Sequence, residues 1–315
     1  MARKITVIGA GSVGATISYT LAVENVAQEI LMIDINTEKA LGEAMDIGQG
    51  ASFFGSANVY AGDYEEAVDS DIVIITSGLP RKPGQSRLEL AQANVNIMKD
   101  IAPKITKYAP NAKYLIVSNP VDILTYVFHK VTDIPENNII GSGTLLDTSR
   151  LRSTIADYYK ISQKNVHACI LGEHGDSSFV PWSLATISGV PVSDFGASCA
   201  GGDSVTEAPD YSEIIDKTRK SGGLIIQRKG ATFYAIALSV VQLCKYLFSD
   251  IKSIATVSVM LHGEYGIEDV CLSLQAFVSE DGVAGRLIPK MTDEEVEQLK
   301  ASAAALKEVI ASVEI

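Results

Sequence analysis

The string GAGSVG at residues 9–14 constrains the fold of this chain more than any other segment. It follows a short apolar run at residues 4–8 and opens a helical pattern at residues 12–25. Glycines with this spacing permit a tight turn, a close approach of a ligand to the backbone, and close packing of a helix against a strand. The free amides at the start of the helix can then bind a pyrophosphate. The string therefore predicts the first turn of a dinucleotide-binding unit.

An acidic residue after the second apolar run indicates which dinucleotide would bind. Residues 30–33 read as a strand, and Asp34 follows them, twenty residues after Gly14. A carboxylate there accepts hydrogen bonds from ribose hydroxyls and repels a 2′-phosphate, and the next residue is Ile35 rather than arginine. This combination favours NAD over NADP. The alternative is a purely structural glycine-rich turn beside an exposed acid. It does not explain why a strand, the glycine motif, a helix, a second strand and an acid follow one another in this order.

Strand and helix patterns alternate through the first half of the chain. Strands are predicted at residues 4–8, 30–33, 71–76, 114–118 and 138–140. Helices are predicted between them, at residues 12–25, 37–49, 88–108 and 121–131. Short buried strands separated by helices predict a parallel, doubly wound sheet. We therefore expect an N-terminal Rossmann domain in a protein of the α/β class.

The second half lacks this strict alternation. Helices are predicted at residues 145–159, 211–229 (with a kink at Gly222-Gly223) and 231–248, strands at 165–171, 255–261 and 269–274, and a mobile loop at 196–209. Thr292 and Glu295 form the pattern of a capping box before a final amphipathic helix. The mixture predicts an α+β C-terminal substrate domain. We expect the NAD-binding domain to span residues 1–145 and the substrate domain residues 146–315.

The composition excludes several classes of function. A formal net charge of −12 argues against nucleic-acid binding, which needs a basic face. No run reaches the roughly 18 apolar residues that a membrane span needs, and the first residues do not read as a signal peptide. The four cysteines lie far apart and lack metal-ligand spacing, which is typical of reduced thiols. We therefore expect a cytoplasmic protein with no metal site and no membrane or nucleic-acid partner.

One histidine occurs in a string suited to ligand contact. The sequence LGEHGDSSF at residues 171–179 sets His174 between glycines and beside two carboxylates, directly after an apolar run. Glycine neighbours allow a close backbone approach, so the imidazole is placed to touch a ligand rather than to fill a core. A turn histidine with a structural role is the alternative.

Four further polar residues are candidates for the same site as His174. Arg87 follows a loop rich in proline and glycine, Asn119 ends a predicted strand, and Asp147 and Arg150 lie one turn apart on a predicted helix. A plain i, i+3 salt bridge would explain the last pair, and a turn before a proline would explain Asn119. The five residues together, in a chain with a dinucleotide motif, favour a catalytic site.

With these ordered motifs the chain resembles the L-lactate/L-malate dehydrogenase family over essentially its whole length, most closely the bacterial NAD-dependent lactate branch. The resemblance implies reversible hydride transfer between NAD and a small 2-hydroxy or 2-oxo acid. His174 would exchange the proton, Asp147 would hold its ring, and Arg150 would grip the substrate carboxylate. Arg87 would polarise the carbonyl from a closing loop, and Asn119 would complete the hydrogen bonds near the carbonyl and the nicotinamide.

The resemblance also implies a cofactor set and an effector site. The residues expected to contact the cofactor are Gly9, Gly11, Val13, Gly14, Asp34, Gly78, Ser118 and Asn119. Arg152 and His167 match the pair of cations with which bacterial lactate enzymes bind fructose 1,6-bisphosphate between subunits. An exposed arginine and a strand-edge histidine are the alternative. We further expect a homo-oligomer, most simply a tetramer.

The substrate within the family is left open by the residues themselves. Arg81 occupies the loop position where typical malate enzymes have arginine and typical lactate enzymes have glutamine. By the same resemblance, Glu173, Ser178, Trp182 and Thr232 are lactate-like, and Thr232 would line the substrate pocket. We expect pyruvate and (S)-lactate as the substrate pair, with oxaloacetate and malate as the alternative. A non-catalytic NAD-binding sensor is a third, more remote reading.

Overall fold

The computed structural model describes residues 3–80, 86–200 and 205–315, without the side chains of Phe54 and Arg87. The strands are β1 (Lys4–Ile8), β2 (Glu29–Ile33), β3 (Asn58–Ala61), β4 (Ile72–Ile75), β5 (Lys113–Ile116), β6 (Ile139–Gly141), β7 (Val166–His167), β8 (Thr186–Ile187), β9 (Val190–Pro191), β10 (Ser253–His262), β11 (Glu268–Ser279) and β12 (Gly282–Arg286). The helices are α1 (Ser12–Val23), α2 (Thr37–Gln49), α3 (Ala51–Phe54), α4 (Arg87–Tyr108), α5 (Val121–Val131), α6 (Leu145–Tyr159), α7 (Val192–Ser198), α8 (Tyr211–Lys229), α9 (Tyr234–Leu247) and α10 (Asp293–Ser312).

Six parallel strands form one part of a large sheet, in the order β3-β2-β1-β4-β5-β6. Every residue of β4 is buried, because helices cover a doubly wound sheet on both faces. The strand order reverses between β1 and β4, and ligands of such sheets bind where the carboxyl ends of the strands meet at this reversal. The predicted Rossmann-type parallel sheet is confirmed.

Three strands from the second half extend the same sheet. β10 runs antiparallel to β6 through the pair Ser258 and Gly141, and β11 and β12 follow in antiparallel order. A separate small sheet contains β7, β8 and β9. The mixed α+β character of the second half is confirmed, and one sheet continues across the predicted division between the domains.

The main hydrophobic core is continuous from the large sheet to α1, α4, α5, α9 and α10. A second core packs α6 against the small sheet and the start of α8. Within the described ranges, no helix combines the length and the apolar character that crossing a membrane requires.

The predicted strand at residues 165–171 is wrong beyond His167. Side chains of α6 take the backbone groups that a strand ladder would use. Arg152 Nε donates to the carbonyl of Ala168 at 2.9 Å, and the amide of Ile170 donates to Thr148 Oγ1 at 3.0 Å. The chain therefore leaves the small sheet and runs along α6 toward the candidate site.

Two other predictions of secondary structure need correction. The helix predicted at residues 231–248 begins only at Tyr234, because Gly230 has φ +87° and Phe233 has a non-helical backbone. The first three residues of the loop predicted at 196–209 belong to α7. The helix predicted at 211–229 has the observed bounds of α8 and runs without interruption through Gly222-Gly223.

The capping box at the start of α10 is confirmed. The amide of Glu295 donates to Thr292 Oγ1 at 3.2 Å, and the amide of Thr292 donates to Glu295 Oε2 at 3.0 Å. The Glu295 carboxylate also accepts hydrogen bonds from the amide and hydroxyl of Ser183, at 2.9 and 2.5 Å. Because the same carboxylate caps the helix and binds a distant loop, it fixes the position of α10 against the second half.

Candidate active site

The glycine string forms the turn between β1 and α1. Gly9 has φ +108°, and a Cβ there would lie 2.6 Å from Thr76 Oγ1. A Cβ at Gly14 would lie 1.8 Å from the carbonyl oxygen of Gly9, so only glycine allows α1 to pack on the turn. A Cβ at Gly11 would meet no atom within 4 Å, so this position faces open space. Val13, the fifth residue of the string, packs in part against the core.

Asp34 lies beside this turn, at the carboxyl end of β2. Its Oδ2 accepts a hydrogen bond from the amide of Ala10 at 2.6 Å, and its Oδ1 accepts one from the amide of Asn36 at 2.8 Å. The next side chain, Ile35, is fully exposed. The structure thus brings together the glycine turn and the carboxylate that the sequence assigns to ribose.

Asn94 on α4 joins the segment that follows β4 to the segment that follows β5. The buried Asn94 amide group accepts from the backbone amide after Gly78 at 2.8 Å and donates to the carbonyl of Asn119 at 2.7 Å. The hydroxyl of Ser118 donates to a carbonyl of the segment after β4 at 2.6 Å. Gly78, Ser118 and Asn119 therefore meet at the carboxyl edge of the sheet, where the β1 turn also lies.

Helix α6 and the loop at 172–178 bring the imidazole and its two predicted partners into one chain of contacts. His174 Nδ1 lies 2.5 Å from Asp147 Oδ2, and Arg150 Nη1 lies 2.9 Å from Asp147 Oδ1. The side chains of His174, Asp147 and Arg150 are only 26%, 17% and 16% exposed. The i, i+3 salt bridge therefore exists, and the same carboxylate also binds the imidazole.

Opposing effects set the protonation of this pair. Burial lowers the pKa of His174, but the hydrogen bond and charge of Asp147, with a smaller contribution from the charge of Asp122, raise it above its ordinary value. Burial raises the pKa of Asp147, but the hydrogen bonds and charges of His174 and Arg150 lower it below its ordinary value. The carboxylate therefore stays ionised, and the imidazole keeps its proton to higher pH than a free histidine does.

The loop that carries His174 is held by three other elements. Gly172 pairs with Ser273 of β11. The amide of His174 donates to Asp122 Oδ2 of α5 at 2.7 Å, and the preceding amide donates to Ser302 Oγ of α10 at 2.8 Å. These contacts fix the backbone that leads into His174, which is the kind of preorganisation that proton transfer requires.

Helix α8 covers the end of the site that holds Arg150. Arg219 Nη2 donates to the carbonyl of Ser178, which ties α8 to the histidine loop. A Cβ at Gly222 would lie 3.4 Å from a guanidinium nitrogen of Arg150, so the backbone of α8 lies close to this cation. Thr232 is half-buried in the short segment between α8 and α9.

Two predicted site residues are described only in part or not at all. Arg87 is the first residue of α4, directly after Ser86, whose hydroxyl forms a capping box with Glu89, and nothing of the Arg87 side chain is described. Arg81 lies outside the described residues.

The two predicted effector residues lie near one end of the small sheet. The Arg152 guanidinium donates to the carbonyl of Ala168, one residue after His167. His167 itself is exposed on β7, an edge strand of that sheet.

Sequence reasoning missed three buried polar residues that organise the site: Asp122, Asn94 and Ser302. Asp122 carries a signal that could reveal it, because it is the one charged residue in the apolar run from Val121 to Phe128. Asn94 and Ser302 give no such signal, since a single amide or hydroxyl within a helical pattern is common on any helix face.

The first half of the site fits a dinucleotide. Helix α1 has Gly11 at its N-cap with no side-chain cap, so its first amides are oriented toward the open space beside the turn. The Asp34 carboxylate at the adjacent strand end suits ribose hydroxyls. In the part of the chain that the structure describes, no group of three or more His, Cys, Asp or Glu side chains could hold a metal ion.

Comparisons with known proteins agree with this geometry. Residues 3–141 match the family model of the lactate/malate dehydrogenase NAD binding domain, and residues 144–314 match that of its alpha/beta C-terminal domain. L-lactate dehydrogenase 1 of Clostridium acetobutylicum is 44% identical over 311 residues, which cover 98% of each chain. L-lactate dehydrogenase of Thermoanaerobacter pseudethanolicus is 42% identical over 313 residues, covering 99% of this chain and 100% of that one.

Solved structures are similar over the full length. MGS-M5, a lactate dehydrogenase enzyme from a Medee basin deep-sea metagenome library, is 37% identical with a TM-score of 0.93 and covers 99% of both chains. The minor L-lactate dehydrogenase of Enterococcus mundtii is 36% identical with a TM-score of 0.93, over 100% of this chain and 99% of that one. With its dinucleotide turn, its buried His174–Asp147–Arg150 contacts and these full-length relatives, the chain belongs to the NAD-dependent lactate/malate dehydrogenase family.

Proposed function

We propose that the chain is an L-lactate dehydrogenase, which transfers hydride reversibly between NADH and pyruvate to give (S)-lactate. The observation that carries the proposal is the set of contacts from Arg150 through Asp147 to His174 beside a dinucleotide turn. A 2-oxo acid needs a guanidinium for its carboxylate and a proton donor for its ketone, and these contacts hold both groups together. Full-length relatives named L-lactate dehydrogenase support the same reaction.

Each residue of the contact set has one task. Arg150 binds the substrate carboxylate bidentately. Bound NADH supplies the hydride to the ketone carbon. Because Asp147 holds Nδ1 of His174, the imidazolium donates its Nε2 proton to the ketone oxygen, and one proton from solvent later restores it. In the opposite direction, neutral His174 accepts the proton of the lactate hydroxyl.

The remaining predicted residues complete the site in this proposal. Arg87, at the start of α4, polarises the carbonyl of the bound substrate. Asn119 hydrogen-bonds near the carbonyl and the nicotinamide, and Thr232 lines the pocket beneath α8. Arg81 occupies the sequence position that, by the family resemblance, distinguishes substrates by the substituent of the 2-oxo acid.

Isotope transfer tests the reaction directly. The protein is incubated with pyruvate and NADH that carries deuterium at the transferable position, and the product is analysed by NMR and chiral chromatography. We expect (S)-lactate with deuterium on its carbinol carbon and an equal amount of NAD. Binding of NADH without turnover of pyruvate or oxaloacetate would contradict the proposal and favour a non-catalytic sensor.

The pH dependence follows from the raised pKa of His174. Reduction requires the protonated imidazole, so kcat/KM for pyruvate should be constant below this pKa and fall by about tenfold per pH unit above it. For lactate oxidation, which requires the neutral imidazole, kcat/KM should instead fall as the pH drops below this pKa. Asp147→Asn removes the main interaction that raises the pKa, so the fall in reduction should move to lower pH. The pH profiles of kcat/KM are measured from initial rates at low substrate concentration. If reduction by D147N falls at the same pH as in the unaltered protein, the assignment of Asp147 as the partner of His174 is wrong.

The contact of Arg152 with the chain directly after His167 supports an effector site for fructose 1,6-bisphosphate. A guanidinium and an imidazole suit one phosphate group, and an anion bound between subunits would stabilise a tetramer. We expect added fructose 1,6-bisphosphate to lower KM for pyruvate and to increase the tetramer fraction in size-exclusion chromatography. Arg152→Gln should abolish both responses. If neither KM nor the oligomeric state responds in the unaltered protein, this part of the proposal is wrong.

A division of labour between the halves is also part of the proposal. Residues 1–145 would hold NAD, and residues 146–315 would supply the substrate and proton-transfer groups. The positions of the two family-model matches support this division.

A further inference from the structure

A charged side chain lies in the least polar part of α5. Asp122 is 2% exposed and is surrounded along the helix by buried residues from Val121 to Phe128. Burial of a carboxylate is costly, because the interior replaces the hydration shell only where hydrogen bonds and opposite charges are provided. A buried carboxylate that persists at such a place therefore needs a specific explanation.

The contacts of Asp122 lead to the candidate active site. Its Oδ2 accepts the hydrogen bond of the His174 amide at 2.7 Å. Its Oδ1 and the buried hydroxyl of Ser258 on β10 meet no partner in full hydrogen-bond geometry among the described residues, although the hydroxyl is close enough to lower the pKa of Asp122. The contact of this carboxylate that has full hydrogen-bond geometry is thus with the backbone of the residue proposed to exchange the proton.

We propose that Asp122 is a positioning residue for the reaction: its buried carboxylate holds the His174 backbone through the amide and places a second negative charge behind the imidazole. This inference rests on the proposed function only in calling His174 the proton donor. Asp147 binds the ring itself, whereas Asp122 acts through the main chain and through its charge. The two carboxylates, on α6 and α5, therefore hold the ring and the backbone amide of His174, respectively.

The charge of Asp122 acts in the same direction as that of Asp147. The charged groups that face His174 are Asp147 and Arg150 from α6 and Asp122 from α5, and both carboxylates raise the pKa of His174. Burial raises the pKa of Asp122 itself to about 6, which the Ser258 hydroxyl and the amide and charge of His174 oppose and the charge of Glu173 supports. Near neutral pH Asp122 is therefore mainly ionised.

The titratable groups around Asp122 come from the histidine loop and from β11. The histidine loop contributes His174 and Glu173. β11 contributes Cys271, whose thiol has a pKa raised first by burial and then by the charge of Asp122. A neutral amide or hydroxyl at position 122 could accept the same backbone hydrogen bond at a smaller desolvation cost, so a purely structural role explains the hydrogen bond but not the charge.

The test is the titration of the His174 ring in Asp122→Asn, followed by NMR of the labelled imidazole in the whole protein without substrate. Asparagine preserves the shape and can still accept the amide hydrogen bond, but it removes the charge. We expect the His174 midpoint to fall by about one pH unit, and the high-pH limb of pyruvate reduction to shift by the same amount. Asp157→Asn, an exposed site on α6, is the matched control and should leave the midpoint unchanged.

If Asp122→Asn does not fold, a less disruptive substitution provides the test. Ser258→Ala retains the carboxylate but removes the hydroxyl that lowers its pKa. Asp122 then ionises at higher pH, and the His174 midpoint should fall by a smaller amount. A His174 midpoint that stays unchanged in a folded D122N protein, or in S258A where D122N is unfolded, would overturn the inference even if thermal stability falls.

The NMR titration also separates this inference from the proposed function. It reports the Asp122 effect on His174 whether or not pyruvate is the substrate. A shifted midpoint with no lactate formation would contradict only the proposed reaction, whereas normal lactate formation with an unshifted midpoint would contradict only the role of Asp122.

Discussion

Replacing His174 by asparagine lowers kcat for pyruvate reduction by about 10³-fold, because general acid catalysis by a positioned side chain contributes roughly 10²–10⁴-fold. Asparagine retains the amide that donates to Asp122, so the loop keeps its backbone contact. The dinucleotide turn lies on β1 and α1, so the affinity for NADH should be unchanged. Stopped-flow measurement of NADH oxidation gives the rate, and fluorescence titration gives the affinity.

The control for this variant is His262→Asn. His262 is a more exposed histidine that binds Glu136 at 2.7 Å, so its loss tests the general effect of removing one imidazole. H262N should have the kcat of the unaltered protein. A His174→Asn protein that retains full activity would mean that the imidazole is idle, as in a non-catalytic NAD-binding protein.

The second large effect is expected from Arg150→Lys. Lysine keeps the charge but cannot form the bidentate pair with a substrate carboxylate. Loss of a hydrogen bond to a charged group costs about 1.5–3 kcal/mol, so KM for pyruvate should rise by about 100-fold, a factor that corresponds to about 2.7 kcal/mol. The pH at which pyruvate reduction falls should shift less in R150K than in D147N, because R150K still has Asp147 beside His174.

Arg3→Lys, at an exposed cation stacked over the Phe248 ring, is the matched control and should leave KM unchanged. An R150K protein with an ordinary KM for pyruvate, but with weakened folding, would show that the Asp147–Arg150 salt bridge is only structural. Titration of oxamate, a pyruvate analogue, measures the loss of carboxylate binding without turnover.

The central part of the fold is predictable from local pattern, whereas its edges are not. The strands at the centre of the large sheet are continuous apolar runs, and the pattern places the start of each within two residues, although β11 extends beyond its predicted end. The strands that escape prediction are β8 and β9 of the small sheet and, in the large sheet, its two edges, β3 and β12. Edge strands are only partly buried, as the burial of both shows, so they lack the apolar run that marks a central strand.

The site divides in a similar way. Residues proposed to act on ligands occur in short, recognisable strings, so Gly11, Asp34, Asp147 and His174 could be proposed from the sequence. Residues that fix the positions of those strings lie far from them in the sequence. Asp122 lies 52 positions from His174, and Ser302 lies 129 positions from the amide whose hydrogen bond it accepts. No local pattern encodes such contacts, since they depend on how α5 and α10 pack.

The most direct test of the account compares kcat/KM for pyruvate and for oxaloacetate, both with NADH, in the unaltered protein and in Arg81→Gln. We expect both proteins to prefer pyruvate and R81Q to lose any activity with oxaloacetate, because the second carboxylate then lacks its cation. A preference for oxaloacetate of about 100-fold or more in the unaltered protein would contradict the assignment as a lactate dehydrogenase.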